Sequence, residues 1–241
     1  MSNKRLYSRI AALLISLVAS TSWAAMGDDP WLTKTATEFS YLSDNGDNVL
    51  EWDVDFWAGR DLSKYWIKSS GEAVGSDVED ANIEFVYSRA IYTAWDQQFG
   101  IRHDFKPDPN GDARSWLSYG YIGTAPYFVA VDARVFVGEE SSTQLLIELE
   151  KEIMLTQEWV LTPELDITAN GRTNQKFAEG SGLSQIEFSL RLGYERNGNR
   201  KFQPFLGFSA RQSFGHTKEF EKNNGRDSGS FQAIIGINSW F

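Results

Sequence analysis

Cysteine is absent from all 241 residues. That excludes disulfides, thiolate metal ligands and a cysteine nucleophile. Other soft metal ligands are scarce too, with two histidines and three methionines. Basic residues are outnumbered, 23 against 33 acidic, for a formal net charge of −10. The chain thus lacks the positive footprint that nucleic acid binding requires. Beyond Ile10–Ala19 no stretch is continuously apolar, and mean hydropathy is −0.38. A membrane protein built of helices is excluded, because a spanning helix needs roughly 20 apolar residues. A membrane barrel is not excluded, since barrel strands alternate and dilute the hydropathy signal.

What is present begins with an export signal. Lys4, Arg5 and Arg9 form a basic stretch, Ile10 to Ala19 an apolar one, and Ser22-Trp-Ala24 a small-residue cleavage site. Residues 1–24 read as a secretory signal peptide cleaved after Ala24, 25–33 as a short periplasmic segment and 34–241 as the folded body. Cleavage removes three of the 23 basic residues and no acidic one, which takes the formal charge to −13.

The closing segment sets the fold class. In Phe231-Gln-Ala233-Ile-Ile235-Gly-Ile237-Asn-Ser239-Trp-Phe241, one parity (Phe231, Ala233, Ile235, Ile237, Phe241) is almost wholly apolar. The other carries Gln232, Gly236 and Asn238. Such a strand, about 10 residues long with a terminal aromatic, suits a wall between lipid and a wet lumen. Turn chemistry and period-two alternation mark about 12 strands. They fall near 34–43, 48–59, 63–74, 80–90, 94–105, 113–123, 127–138, 142–152, 158–170, 183–196, 201–213 and 229–241. Long polar, Gly-rich connections (43–47, 75–79, 106–112, 170–182, 214–228) alternate with tight ones such as Arg60-Asp-Leu62 and Thr124-Ala-Pro126. Both termini are then periplasmic and the long connections extracellular. The expected fold is all-β, a transmembrane antiparallel up-and-down barrel of outer-membrane type in the bacterial outer membrane, with lipid as its first partner. Aromatics at 14% with nine Trp suit girdles at the two interfaces. Pro163 and Pro204 fall inside strands, where a missing donor predicts a bulge or bend.

Parity also predicts the lumen. Leu50, Trp52, Val54 and Phe56 facing lipid turn Glu51, Asp53 and Asp55 inward. The same alternation brings Gln144, Glu148, Glu150 and Glu152 inside, together with Asp132, Arg134, Glu187, Arg191 and Glu195. Lys64, Lys68, Arg102 and Arg211 share inward parities. Two readings stand for this acidic surplus. It attracts and passes divalent cations by field focusing, or it fills a solvated lumen by pairing with Lys64, Lys68, Arg134, Arg191 and Arg211.

The residues Trp66-Ile-Lys68-Ser-Ser-Gly71-Glu72, Tyr87-Ser-Arg89 and Trp95-Asp96-Gln-Gln98-Phe-Gly100-Ile-Arg102-His-Asp104-Phe105 carry a family likeness. It continues through Ala125-Pro126-Tyr127-Phe128, Phe136-Val-Gly138-Glu139, Leu161-Thr-Pro163-Glu164, Arg191-Leu-Gly-Tyr194-Glu195 and Phe214-Gly-His-Thr217 to Trp240-Phe241. In this order, from about Trp31 to Phe241, the chain resembles the outer-membrane copper-resistance protein B family (the CopB/PcoB type). The resemblance implies copper ions as cargo and a role in copper tolerance beside a periplasmic multicopper oxidase or copper-binding protein. Members usually carry a Met- and His-rich segment before the barrel, whereas here Ala25 to about Leu32 precedes the first strand. Copper ligands are therefore expected in the barrel or on a partner.

Candidate metal residues are Glu51, Asp53, Asp55, Glu148 and Glu150 in the lumen, with His103, His216 and Met154 elsewhere. Carboxylate oxygens suit hard cations better than copper. His103 shares its parity with Phe99, Ile101 and Phe105, so an interfacial girdle position competes with a ligand role. His216 can bind Cu(II) with Glu219 or Glu221, or face solvent. Met154 can receive Cu(I), or pack on Leu155 and Trp159. Neither histidine has a serine two residues on, where a strand would place it on the same face, so the chain reads as a non-enzyme.

Overall fold

The computed structural model describes residues 29–44, 47–75, 77–105, 112–225 and 227–241. The proposed signal peptide lies outside the described residues. Thirteen strands form one sheet: β1 (Leu32–Asp44), β2 (Asp47–Arg60), β3 (Ser63–Val74), β4 (Asp77–Tyr92), β5 (Trp95–Phe105), β6 (Arg114–Ala125), β7 (Val129–Gly138), β8 (Thr143–Glu150), β9 (Ile153–Met154), β10 (Trp159–Asn170), β11 (Gly182–Tyr194), β12 (Phe202–Ser213) and β13 (Gly229–Trp240). Each strand pairs antiparallel with its sequence neighbour, β10 taking both β8 and β9. The closing pair is β1 with β13, in a register that runs from Ala36↔Trp240 to Ser43↔Ala233. The barrel therefore has 12 staves, because β8 and β9 are one stave broken at Lys151-Glu152.

That break corrects the expected continuous strand 142–152, and its cause is Pro163. The Pro163 ring nitrogen has no hydrogen to offer the β8 side of β10, and the ladder resumes only at Leu161↔Ile153. Lys151 N–H still donates to the Pro163 carbonyl at 3.1 Å. The proline bends no strand of its own: Pro163↔Leu190 and Pro204↔Ile237 sit in unbroken register. Register shifts fall instead at Glu72/Ala73, Ala90/Tyr92 and Thr168/Ala169. The strand expected at 127–138 starts at Val129, after a tight turn over Pro126–Phe128. A short helix, α1 (Gly215–Asn223), occupies the last long connection, which was expected to be irregular.

Lipid-facing parity is as the alternation requires. Ile101, Leu117, Leu206 and Ile235 are 58–62% exposed in the isolated chain, and burying such side chains in hydrocarbon holds a barrel in a bilayer. The lumen is less uniformly polar than expected. Leu42, Phe205 and Ile234 form a small apolar cluster inside it, and Trp116 and Phe136 are 3% and 1% exposed on its wall. Ile234, on the parity read as polar, is part of this internal packing.

Candidate functional site

The strand register sorts the inward charges into rows, each row one residue per strand. One row reads Asp55, Lys68, Glu84, Arg102 across β2 to β5. Its signs alternate, so neighbours attract. Another reads Asp132, Glu148, Asp166, Glu187 across β7, β8, β10 and β11. Its four members are all acids placed directly opposite one another, an arrangement that costs stability. A third acidic run, Glu51, Glu72, Asp80, crosses β2 to β4.

Two guanidinium groups relieve part of this repulsion. Arg134 donates to Glu84 Oε2 at 2.5 Å and to Asp132 Oδ1 at 2.9 Å, while Lys68 Nζ meets Asp132 Oδ2 at 3.3 Å. Ser118 Oγ–H donates to the other Glu84 oxygen at 2.5 Å. Arg191 gathers Glu38, Glu150 and Glu164 at 2.6, 2.9 and 2.7 Å. Bonded on several sides, these buried charges have most of the partners that desolvation demands, although Arg191 Nε has none among the described residues.

The relief is incomplete. Asp53, Asp55 and Asp166 have no cationic group within 4.0 Å among the described residues. Among the described residues, Glu51 accepts from Ser40 alone, at 3.1 Å. Arg211 was expected to help neutralise the lumen and sits opposite Glu187 in register, yet it makes no ion pair among the described residues. Glu187 accepts from Ser209 instead, at 2.5 Å. The main lumenal cavity, about 800 Å³, is lined by eleven carboxylates (Glu38, Glu51, Asp53, Asp55, Glu84, Asp132, Glu148, Glu150, Glu164, Asp166, Glu187) and five cations (Lys34, Lys68, Arg102, Arg134, Arg191). Of these carboxylates, parity reasoning had not drawn in Glu38, Glu84, Glu164 and Asp166. The alternation Glu164-Leu165-Asp166-Ile167 held the signal for two of them.

The candidate residues do not converge. Glu51, Asp53, Asp55, Glu148 and Glu150 share the lumen. His103 lies on the outer wall, its ring edge-on to Phe105 at 4.7 Å and its Nδ1 2.9 Å from Ser115 Oγ on β6. Among the described residues no carboxylate is bonded to the imidazole to complete a catalytic triad. His216 sits on α1 at the end that carries the long connections, with Nδ1 2.9 Å from Glu219 Oε2 and both side chains well exposed. Met154 lies at the short-turn end, where its Sδ accepts from Arg200 Nη2 at 3.4 Å. Among the described residues, no group of three or more His, Asp or Glu side chains is arranged to hold a metal ion.

A closed antiparallel barrel with a lipid-facing apolar wall and a charged lumen defines an outer-membrane-type, porin-like protein. The NanC porin, in a rhombohedral crystal form, superposes with a TM-score of 0.55 at 12% identity, covering 85% of this chain and 98% of the porin. At that identity the likeness is one of fold. The sequence narrows the class: residues 33–241 match the family described as copper resistance protein B precursor (CopB), and the chain belongs to it. The copper resistance protein B homolog of Pseudomonas syringae pv. tomato is 29% identical over 86% of this chain and 68% of its own length. Copper resistance protein B of Escherichia coli is 31% identical over 83% of this chain and 65% of its own length. The match thus spans about two thirds of these relatives. Family and fold are those of copper resistance barrels and porins, not of known enzymes.

Proposed function

We propose that this barrel serves copper tolerance by drawing copper ions through or into its acidic lumen at the outer membrane. The observation that carries the reading is the unalternated row Asp132–Glu148–Asp166–Glu187, facing Asp53 and Asp55 across a cavity with a surplus of carboxylates. A low-dielectric wall lined with one sign of charge concentrates counter-ions. The lumenal donors are oxygens, which attract copper(II) as they attract other divalent cations and supply no soft-ligand site. Selection of copper then falls to a periplasmic partner, a multicopper oxidase or a copper-binding protein that hands over or receives the ion. Export through a cleaved signal peptide at residues 1–24 belongs to the same reading.

A second reading, a general porin or structural barrel with a largely ion-paired lumen, is favoured by the Arg134 and Arg191 clusters. Reversal potentials in planar bilayers separate the two. The acidic reading expects cation selectivity that drops roughly tenfold when Glu51→Gln, Asp53→Asn and Asp55→Asn are combined, within the range field focusing provides. Selectivity unchanged by the triple substitution overturns it. Titration calorimetry of the refolded barrel is expected to give alike, weak responses to copper(II) and magnesium. Saturable copper binding with none for magnesium would instead place a selective site on the barrel itself.

A further inference from the structure

We infer that the lumen is entered freely from the periplasm and narrowed at its extracellular mouth by a strap of residues 171–181 latched onto Arg114. The strap joins β10 to β11, yet its contacts reach β6, three staves away. Phe177 lies on one face of the Arg114 guanidinium, 4.5 Å from ring centre to Cζ, and Trp116 lies 4.6 Å away. Glu179 Oε1 forms an ion pair with Arg114 Nη1 at 2.7 Å. A cation held against two rings and ion-paired with a carboxylate makes a clasp.

Arg114 is itself anchored below the strap. Asp104, 2% exposed, receives Arg114 Nε at 3.0 Å, Arg102 Nε at 2.6 Å and the Trp116 indole N–H at 2.8 Å. Helix α1 backs the strap from the other side. Gly180 N–H donates to Thr217 Oγ1 at 2.8 Å, and a Cβ on Gly180 would lie 2.3 Å from the Thr217 nitrogen. Any larger residue at 180 must therefore push strap and helix apart.

The opposite end has no such cover among the described residues. A second cavity of about 450 Å³, bounded by Glu152, Arg200, Gln203 and Trp240 at the periplasmic ends of the strands, shares Glu38, Asp53 and Asp55 with the main one. Ions thus reach the acidic rows from the periplasm, and the clasp restricts their way outward. The consequence for copper rests on the function proposed above, whereas the access pattern does not.

The test is thiol labelling, free of background because the chain has no cysteine. Ser70 lines the main cavity, and Ser70→Cys leaves every lumenal charge in place. A membrane-impermeant maleimide applied to intact cells is expected to label it slowly. Adding Phe177→Ala with Glu179→Gln, or Gly180→Val alone, is expected to speed labelling on the order of tenfold, as release of a closed state predicts. Maleimide on the short-turn side of barrels inserted in one direction into a bilayer is expected to label all versions alike. Gel-shift heat-modifiability shows which variants fold. Equal outside labelling in native and unclasped folded barrels overturns the inference, as does failure to label from the periplasmic side. Cation selectivity, read separately, tests the proposed function without regard to the strap.

Discussion

Arg134 shows how single residues hold this lumen together. Its side chain is 8% exposed and bonds Glu84 and Asp132, themselves 4% and 9% exposed. Removing one partner of a buried ionic cluster strands the others, at a cost of about 3–5 kcal/mol. Arg134→Met is therefore expected to lower the urea unfolding free energy of the refolded barrel by that amount. Arg134→Met combined with Glu84→Gln is expected to recover part of the loss, because one stranded carboxylate is gone. A full-sized loss in the double variant would mean that shape, not charge, sets the cost. The sequence placed Arg134 on the inward parity, and Glu148 too. It could not show that Arg134 meets Glu84, fifty residues away, because that depends on how three intervening strand pairs are aligned. The placement of His103 and Met154 was hidden for a similar reason: residue type was visible, but the wall and the end on which each sits were fixed only by the closed register.

At the scale of a strand, the sequence was most informative where one face meets lipid, since hydrocarbon penalises polar side chains on that parity. On β13 it marked Phe231 and Ile235 as outward, and they are 72% and 61% exposed. It was least informative inside, where water, ion pairs and apolar packing all satisfy the same face, and so Ile234 was missed. Chain breaks were partly legible. Pro163 signalled trouble in the ladder, but the trouble appears in the neighbouring stave, because the proline lacks a donor and not an acceptor. Helix α1 left no signal, since nine residues with Phe220 as the one large apolar side chain carry no apolar stripe. The parity assignment has a direct check. Ile235→Arg is expected to destabilise the barrel by about 2–4 kcal/mol if it sits near the bilayer midplane, whereas Gln232→Arg, three residues earlier and inward, is expected to cost less than about 1 kcal/mol. Unfolding titrations in phospholipid vesicles give both values, and equal costs would mean that the register of β13 against β1 is wrong.

For the molecule as a whole, strand count, closure and location followed from alternating long and short connections, and the family from motifs kept in order. Copper did not follow from the lumen's chemistry, because the softer donors His103, His216 and Met154 lie on three different parts of the surface. What the assembled barrel adds is the contrast between its charge rows. The row from Asp55 to Arg102 alternates in sign and sums to no net charge, whereas the row from Asp132 to Glu187 holds four acids and no base of its own. Selectivity built on such accumulation acts through space and is open to screening. The Debye length shrinks from about 10 Å at 0.1 M salt to about 3 Å at 1 M, shorter than the span of a barrel lumen. Reversal potentials taken across the same concentration ratio at the two mean salt levels are therefore expected to show cation preference falling toward parity at the higher one. A preference that survives 1 M salt would point to a close-fitting site that strips the ion's water. The acidic rows would then be a lining, and the search would move to whatever constriction the strap and Arg114 leave at the mouth.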